Sequence, residues 1–303
     1  MAYDRTGSRR PSRRNFQPTI DGRLETRVLL AKMTPIMTQI AANGQASVVT
    51  NTNGQQFFIS VINGGTVRAF PAVGGRVNLV VDGSTPQTLL EINQIVPQQV
   101  KGSAHKFNSA LAMQTGTINI ASITVSTGTI GAIEGYNTAI LSGTVAVGST
   151  NPVNRMAFQS IAPGASIGVG GDLNTLDVLY DAKFSGSSGL FVGRDLNSFS
   201  VGGNLSFSNG ANLNIVRDSG LVPQAAKGTG PAGQGISVIG NMSIDNTSGF
   251  SIGRYLDGFL VVDGNYSGAF RTLIGGNLLP NYIAINASLT PPVNNVFVRG
   301  TFS

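Results

Sequence analysis

The chain of 303 residues contains no cysteine, no tryptophan and a single histidine, His105. Without cysteine it has no disulfide framework, no thiolate metal site and no thiol nucleophile, whichever compartment it occupies. One histidine cannot build a histidine metal cluster, and with Lys106 beside it we expect His105 at the surface. Because the usual ligands and nucleophiles are missing, we expect neither a cofactor nor a metal site.

Charged residues are also scarce, at 11% of the chain, whereas glycine reaches 40 residues. Globular domains usually carry about a quarter of charged residues. Few charges, many β-branched residues and abundant Gly, Asn, Ser and Thr are typical of an all-β solenoid or barrel, and they do not fit a helical enzyme or a disordered chain. Long apolar runs of about 18 residues are absent, so we expect no transmembrane helix.

The excess of positive charge is confined to the N-terminus. Residues 1–32 carry eight Lys or Arg against three acids, whereas the charges of residues 33–303 nearly balance. A nucleic-acid interface would need a basic stripe along the body of the protein, so we expect no nucleic-acid partner. Arg- and Ser-rich blocks are typical of tails and addresses. Residues 1–35 are therefore predicted to form a disordered basic arm with a short helix.

A short motif ends this arm, formed by Leu24, Glu25, Arg27, Leu29 and Leu30. These residues spell Leu-Glu-x-Arg-x-Leu-Leu after the basic stretch RRPSRRNFQP, and the combination resembles the LEPR-XLL-type N-terminal motif of large bacterial surface and secreted proteins, especially of planctomycetes. The chain departs from that motif with Thr26 in place of Pro or Asp, and with Ala31 in place of the common Ser. The resemblance covers under a tenth of the chain. It implies an extracytoplasmic protein, secreted or at the cell surface, with no assigned catalytic activity.

The second half of the chain repeats a degenerate unit of apolar residues, Gly, Gly or Arg, Asp or Asn, and Leu. The units lie at residues 167–173, 190–196, 199–205, 236–242, 250–256, 260–266 and 272–278. Short apolar strands separated by Gly and Asn predict a stacked β-solenoid. Because the units start 9 to 37 residues apart, we interpret them as half-coils interrupted by loops.

The repeat also predicts which side chains lie inside the solenoid. The expected interior residues are Val169, Val192, Val201, Val238, Ile252 and Val262, followed by Leu173, Leu196, Leu205 and Leu256. The Gly that follows lets the chain turn without a Cβ clash, and the next Asn or Asp is expected to cap the corner through a local side-chain bond.

The fold class predicted for the whole chain is all-β, a single-stranded parallel β-helix behind the basic arm. Residues 36–104 are either a small β-rich subdomain or irregular first coils, and residues 105–303 form the helix, with loop excursions at 216–235 and 278–295. In the segment 117–125 the apolar positions fall out of step between Ile120 and Ile123, which indicates a bend between two short strands.

Asp172, Asp177 and Asp195 are the candidate catalytic residues. They resemble the acids that β-helix polysaccharide lyases and hydrolases place on one face for acid–base work or Ca²⁺ binding. However, Asp172 and Asp195 occupy the corner position held in other units by Asn204, Asn241, Asn265 and Asn277, so a turn role explains them as well. Arg194 and Arg254 share an equivalent position and could form a basic ladder for anionic sugars, although exposed corner residues are the simpler interpretation.

Two functions of different class remain open. The preferred one is a non-enzymatic extracytoplasmic structural or adhesive surface protein, whose solenoid contacts cell-envelope polysaccharide or other proteins. The alternative is a carbohydrate-active β-helix enzyme, a polysaccharide lyase or glycoside hydrolase, working near Asp172, Asp177 and Asp195. The final segment NNVFVRGTFS reads as a strand without a polar cap, so we also expect self-association through the C-terminal coil.

Overall fold

The structure is a computed structural model that describes residues 46–95, 116–219 and 235–253, and the short ranges 259–264, 266–268, 272–274, 283–285 and 296–298. Within these ranges the chain forms 23 strands and no helix. The predicted all-β class is therefore confirmed. The basic arm, the motif at residues 24–30, His105 and the boundary at residues 104–105 lie outside the described residues.

The first five strands form antiparallel pairs. They are β1 (Ala46–Thr50), β2 (Gln56–Ile62), β3 (Thr66–Ala72), β4 (Arg76–Asp82) and β5 (Leu89–Gln94). β1 pairs with β2, β2 with β5, and β3 with β4. The β3–β4 turn contains Gly74 with φ 78°, a left-handed conformation that glycine adopts without a steric penalty. β4 and β5 then pair in parallel with β6 and β7, so this region shares its sheet with the strands that follow.

The remaining strands pair in parallel. The longer ones are β6 (Ile118–Val125), β7 (Ala132–Val147), β8 (Arg155–Ile161), β10 (Leu173–Val178) and β13 (Leu196–Val201). The shorter ones are β9 (Ser166–Val169), β11 (Ala182–Ser185), β12 (Gly189–Val192), β14 (Leu205–Ser208), β15 (Asn212–Ile215), β16 (Gly235–Val238), β17 (Met242–Ile244), β18 (Gly249–Ile252), β19 (Phe259–Val262), β20 (Tyr266–Gly268), β21 (Thr272–Ile274), β22 (Ile283–Ile285) and β23 (Val296–Val298).

These strands stack on three faces. Face 1 contains β5, β10, β13, β16, β19 and β22 with parts of β7 and β8. Face 2 contains β11, β14, β17 and β20 with parts of β6, β7 and β8. Face 3 contains β4, β9, β12, β15, β18, β21 and β23 with parts of β6 and β7. Each coil thus visits three faces, which is the arrangement of a parallel β-helix.

One regular coil takes 23 residues, the separation between Asp172 and Asp195 and between Asp195 and Asp218. Neighbouring units that start 9 to 14 residues apart therefore span about half a coil, as the sequence interpretation expected, although each coil has three faces. The units at 167–173, 190–196 and 250–253 cross from face 3 toward face 1, whereas those at 199–205 and 236–242 cross from face 1 to face 2. The same degenerate unit occurs at both corners, so the sequence pattern alone does not distinguish them.

The apolar core fills the space between the faces. The predicted interior positions in the described residues, from Val169 to Val262 and including Leu173, Leu196 and Leu205, are all buried. Leu256 lies outside the described residues. Phe184 and Phe207 stack between neighbouring coils of face 2, with ring centroids 5.0 Å apart and planes at 10°. Burying a side chain of this size contributes about 1.5–3 kcal/mol relative to exposure, so these ladders hold the coils together.

The predicted bend within residues 117–125 is confirmed, although the strand β6 remains continuous. The register of β6 against β7 shifts between Ile120 and Ser122, and this lets one strand pass from face 2 to face 3.

The predicted excursion at 216–235 is shorter than expected at both ends. The backbone of Val216, Arg217 and Asp218 still bonds to the preceding coil, and Gly235 begins β16. The predicted excursion at 278–295 contains β22, which pairs with β19. The other residues of both segments lie outside the described ranges.

Candidate functional site

Three aspartates stack at the corner between face 3 and face 1, here called corner A (residues 170–172, 193–195 and 216–218). The backbone N–H of Asp195 donates to Asp172 Oδ1 (3.1 Å), and that of Asp218 donates to Asp195 Oδ1 (3.0 Å). In the opposite direction, the backbone N–H of Leu173 donates to the carbonyl of Asp195 (2.8 Å). The carboxylates therefore bond to the next coil, and the local capping bond expected from the sequence is not how Asp172 and Asp195 act.

Arginine side chains accompany this stack. Arg194 Nε lies 3.5 Å from Asp172 Oδ1, and Arg217 Nη2 lies 3.4 Å from Asp195 Oδ2. Stacked carboxylates repel one another, and a cation beside each one offsets that repulsion. Because the arginine side chains are 44% and 33% exposed, each pair is worth only about 0–1 kcal/mol. Arg254, the other predicted member of a basic ladder, lies outside the described residues.

The corner between face 1 and face 2, here called corner B (residues 179–181, 202–204 and 239–241), uses amides in the same way. The backbone N–H of Asn204 donates to Asp181 Oδ1 (2.9 Å), and that of Asn241 donates to Asn204 Oδ1 (2.8 Å). The bond from Asn204, with help from Lys183, holds the pKa of Asp181 below its ordinary value. Aspartate and asparagine thus serve one geometry, since both present Oδ1 to the coil above.

Asp177 lies on the outer surface of face 1, inside an ion-pair network. Arg155 Nε donates to Asp177 Oδ2 (2.8 Å), and Arg155 Nη1 donates to both carboxylate oxygens of Glu134 (2.9 and 3.0 Å). The Arg155 guanidinium carbon also lies 5.9 Å from the ring centre of Tyr136. Glu91 stands on the neighbouring strand, opposite Glu134. These five residues are called the face-1 cluster.

Electrostatics favour the charged form of Arg155. Desolvation by itself lowers the pKa of this arginine, but hydrogen bonds and charges from Asp177 and Glu134 outweigh it, so the pKa is raised. The side chains of Arg155, Glu134 and Asp177 are 41%, 28% and 22% exposed. The cluster is therefore a partly solvated network that keeps Glu134 and Asp177 paired with a permanent cation.

Sequence reasoning found Asp177 and missed the other members of the face-1 cluster. Glu91 and Glu134 precede the recognised units, and their coils are irregular in length, so no fixed spacing connects them with Asp177. The available signal was strand alternation, which places Glu134 on the outside because Ile133 is buried. The pairing of β7 with β8 then brings Glu134 near Arg155.

The structure does not gather the three predicted catalytic acids at one point. Asp172 and Asp195 meet at corner A, whereas Asp177 lies within β10, five residues after Asp172, and pairs with Arg155. Among the described residues, no group of three His, Cys, Asp or Glu side chains is arranged to hold a metal ion.

A shallow depression of about 60 Å³ lies near the first hairpins, between the end of β1 and the β3–β4 turn. It contains Arg76 but no acid, and it is remote in sequence from the predicted acids.

The described part of the chain has no helix long and apolar enough to cross a membrane.

No protein-family model matches the chain, and no curated protein or solved structure is significantly similar to it.

Proposed function

We propose that this chain is a non-enzymatic extracytoplasmic structural or adhesive protein, whose parallel β-helix contacts cell-envelope polysaccharide or other proteins. The observation that carries the proposal is the use of corner acids and amides to join coils. Asp172, Asp195 and Asn204 accept backbone hydrogen bonds from the coil that follows. Side chains committed in this way stabilise a long scaffold.

The outer surface supplies hydrogen-bonding groups in rows. Asn174 Nδ2 donates to Asn154 Oδ1 (3.2 Å), and Asn197 Nδ2 donates to Asn174 Oδ1 (2.9 Å). Ser200 stands beside Ser237 on face 1, and Ser206 stands beside Ser243 on face 2. Amide and hydroxyl groups repeated from coil to coil are suited to a ligand that itself repeats, such as a polymer of the envelope.

The extracytoplasmic location rests on the N-terminal motif of Leu24, Glu25, Arg27, Leu29 and Leu30. Fractionation of the source cells, with detection of the full-length chain, tests it directly. The expected result is enrichment in the envelope or the medium, which a Leu29→Ser/Leu30→Ser variant loses and a Val28→Ser control keeps. Finding the unaltered chain only in the cytosol would overturn the proposed location.

Binding is tested with the purified full chain and isolated envelope polysaccharide or envelope protein. Saturable retention on either material is expected. Absence of retention on both would remove the adhesive function, while leaving the fold unaffected.

The alternative function, a carbohydrate-active enzyme, is favoured by one observation, the position of Glu134 and Asp177 on either side of Arg155. It is tested by release of reducing ends and of unsaturated products from envelope polysaccharides. Our proposal expects no turnover. Turnover that disappears in both Glu134→Gln and Asp177→Asn, but persists in Asp172→Asn, would replace the structural function by the enzymatic one.

A further inference from the structure

We infer that the outer surface of face 3 around Phe191 binds a neutral polysaccharide chain. This inference rests on the proposed function and names its ligand class and its contact site. The site, called the face-3 patch, consists of Ala146, Gly168, Phe191 and Asn214, which lie side by side on four successive coils.

Phe191 is the aromatic centre of the patch. Its neighbours in β12, Leu190 and Val192, point into the core and are buried, so alternation directs Phe191 outward. The residue remains 46% exposed. An aromatic ring in this position adds nothing to the core, and it presents an apolar surface to a ligand.

Gly168 leaves a gap beside that ring. A Cβ added at Gly168 would meet only the carbonyl oxygen of Val145 at 3.8 Å, an ordinary van der Waals contact. Gly193, by contrast, has no room for a Cβ, because the carbonyl oxygen of Gly170 occupies the place. The fold therefore requires glycine at 193 but not at 168. Glycine at 168 therefore leaves the strand position between Ala146 and Phe191 without a side chain.

The residues around the gap define the ligand chemistry, because the outer positions of β9, β12, β15 and β18 carry no charge. They are Ser166, Gly168, Gly189, Phe191, Asn212, Asn214, Gly249 and Ser251. Asn214 is exposed, and the structure records no side-chain hydrogen bond for it within the described ranges. A sugar ring combines an apolar face, which packs on an aromatic ring, with hydroxyl groups that pair with amides. A polyanion would find no cation on these strands, and the arginines that follow β12 and β15, Arg194 and Arg217, are paired with Asp172 and Asp195 at corner A.

Exposed apolar residues that stand alone are common on protein surfaces and need no ligand. Tyr180 at corner B is such a residue and is 56% exposed. It differs from Phe191 because it lies at a corner, beside Gly203, whose Cβ position is blocked by Asp181 Oδ1 and by the backbone of Tyr180 and Asp181. Tyr180 therefore provides a matched control, an exposed aromatic side chain without an open gap on a strand face.

The experiment measures binding of the purified full chain to cellulose and chitin as neutral polymers, and to polygalacturonate as an anionic polymer. Saturable binding to a neutral polymer is expected, with weak binding to polygalacturonate. Phe191→Ala is expected to weaken neutral-polymer binding at least tenfold. Gly168→Val, which fills the gap, is expected to do the same while preserving or raising the unfolding temperature, since a β-branched residue suits a strand. Tyr180→Ala should bind like the unaltered chain.

The outcomes separate this inference from the function on which it rests. If the unaltered chain binds envelope material but Phe191→Ala and Gly168→Val retain full affinity, the face-3 patch is wrong and the adhesive function stands. Binding to polygalacturonate alone overturns the neutral ligand class. If the chain binds neither envelope polysaccharide nor envelope protein, the adhesive function itself fails.

Discussion

Corners A and B of the solenoid use the same geometry with different charges. At corner A the stack is Asp172, Asp195 and Asp218, and arginines stand beside two of these acids. At corner B the described stack begins with Asp181 and continues with Asn204 and Asn241. In both, a side-chain Oδ1 accepts the backbone N–H of the following coil. The comparison indicates that corner A needs a side-chain oxygen that accepts the backbone hydrogen bond, and that the negative charge of the aspartates matters less for its stability.

Burial is the main difference between the two corners. Asp195 and Asp218 are buried at corner A, whereas Asn204 and Asn241 are exposed at corner B. Water can replace a lost acceptor at an exposed corner but has no access at a buried one. We therefore expect equivalent substitutions to cost more free energy of unfolding at corner A.

The largest loss of stability is expected from a side chain introduced at Gly193. At both corners the backbones of neighbouring coils approach closely, and Gly193 is the example at corner A. Gly193→Val places its Cβ against the carbonyl oxygen of Gly170, so the coils must separate. We expect a loss of about 3 kcal/mol or more in the free energy of unfolding, measured by urea denaturation. Gly168→Val is the control and should cost nothing. Equal stability of the two variants would contradict close packing of the coils at corner A.

Removal of the acceptor at each corner tests the burial argument. Asp195→Ala removes the Oδ1 that accepts from the N–H of Asp218, a residue that is only 3% exposed, and a loss of about 2 kcal/mol is expected. Asn204→Ala removes the Oδ1 that accepts from the N–H of Asn241 at an exposed corner, and a loss of about 0.5–1 kcal/mol is expected. If urea denaturation gives equal losses of unfolding free energy for the two variants, the difference in burial does not determine how much each corner contributes to stability.

Exchange of acid for amide at corner A tests whether the charge matters. Asp195→Asn keeps Oδ1 as the acceptor for Asp218 and gives up only the half-exposed pair with Arg217. We expect a change below about 1 kcal/mol in the free energy of unfolding. A loss as large as that of Asp195→Ala would mean that the carboxylate charge, and not its acceptor geometry, holds corner A together.

The smallest effect concerns acid pH at corner B. The pKa of Asp181 is lowered in the folded chain, mainly by the backbone hydrogen bond from Asn204 and then by Lys183. A lowered folded pKa means that this stabilisation is complete above the ordinary value of 3.8 and is lost as the pH falls through the lower folded value. Urea midpoints measured across that range should fall less steeply in Asp181→Asn than in the unaltered chain.

Lys183→Met provides the control for the pH experiment, because it leaves the bond from Asn204 to Asp181 in place. The urea midpoint of Lys183→Met should therefore fall with decreasing pH more steeply than that of Asp181→Asn. If the urea midpoint of Asp181→Asn falls with pH as steeply as that of the unaltered chain, other carboxylates govern the loss of stability in acid. Asp245 is among them, because the backbone N–H of Asn209 lowers its pKa.

Much of the fold could be predicted because its strongest signals are local. Alternation within a strand decides which side chains are buried, and this correctly placed Val169, Val192 and Val201 inside. The out-of-step isoleucines of β6 likewise predicted the bend, because a shift of one residue reverses the two faces of a strand. The glycine of the repeat was correctly read as avoiding a Cβ clash at Gly193.

The candidate sites were less predictable, because their members come from different coils. Asp177 meets Arg155 and Glu134 only after coils of unequal length are stacked, with partners 22 and 21 residues from Arg155. The separation between Asn204 and Asn241 is 37 residues, since an insertion lies between their coils. A pattern search at fixed spacing therefore detects the corner but misses the partner.

The amino-acid sequence by itself determined the all-β class, the interior ladder and the recurrence of Gly and Asp or Asn at corners, because each depends on neighbours within a few residues. The tertiary structure alone decided that the units belong to two different corners and that their side chains bond across coils. It also decided that Asp177 joins Arg155 while Asp172 and Asp195 stack elsewhere. These relations depend on coil length and register, which local alternation does not encode.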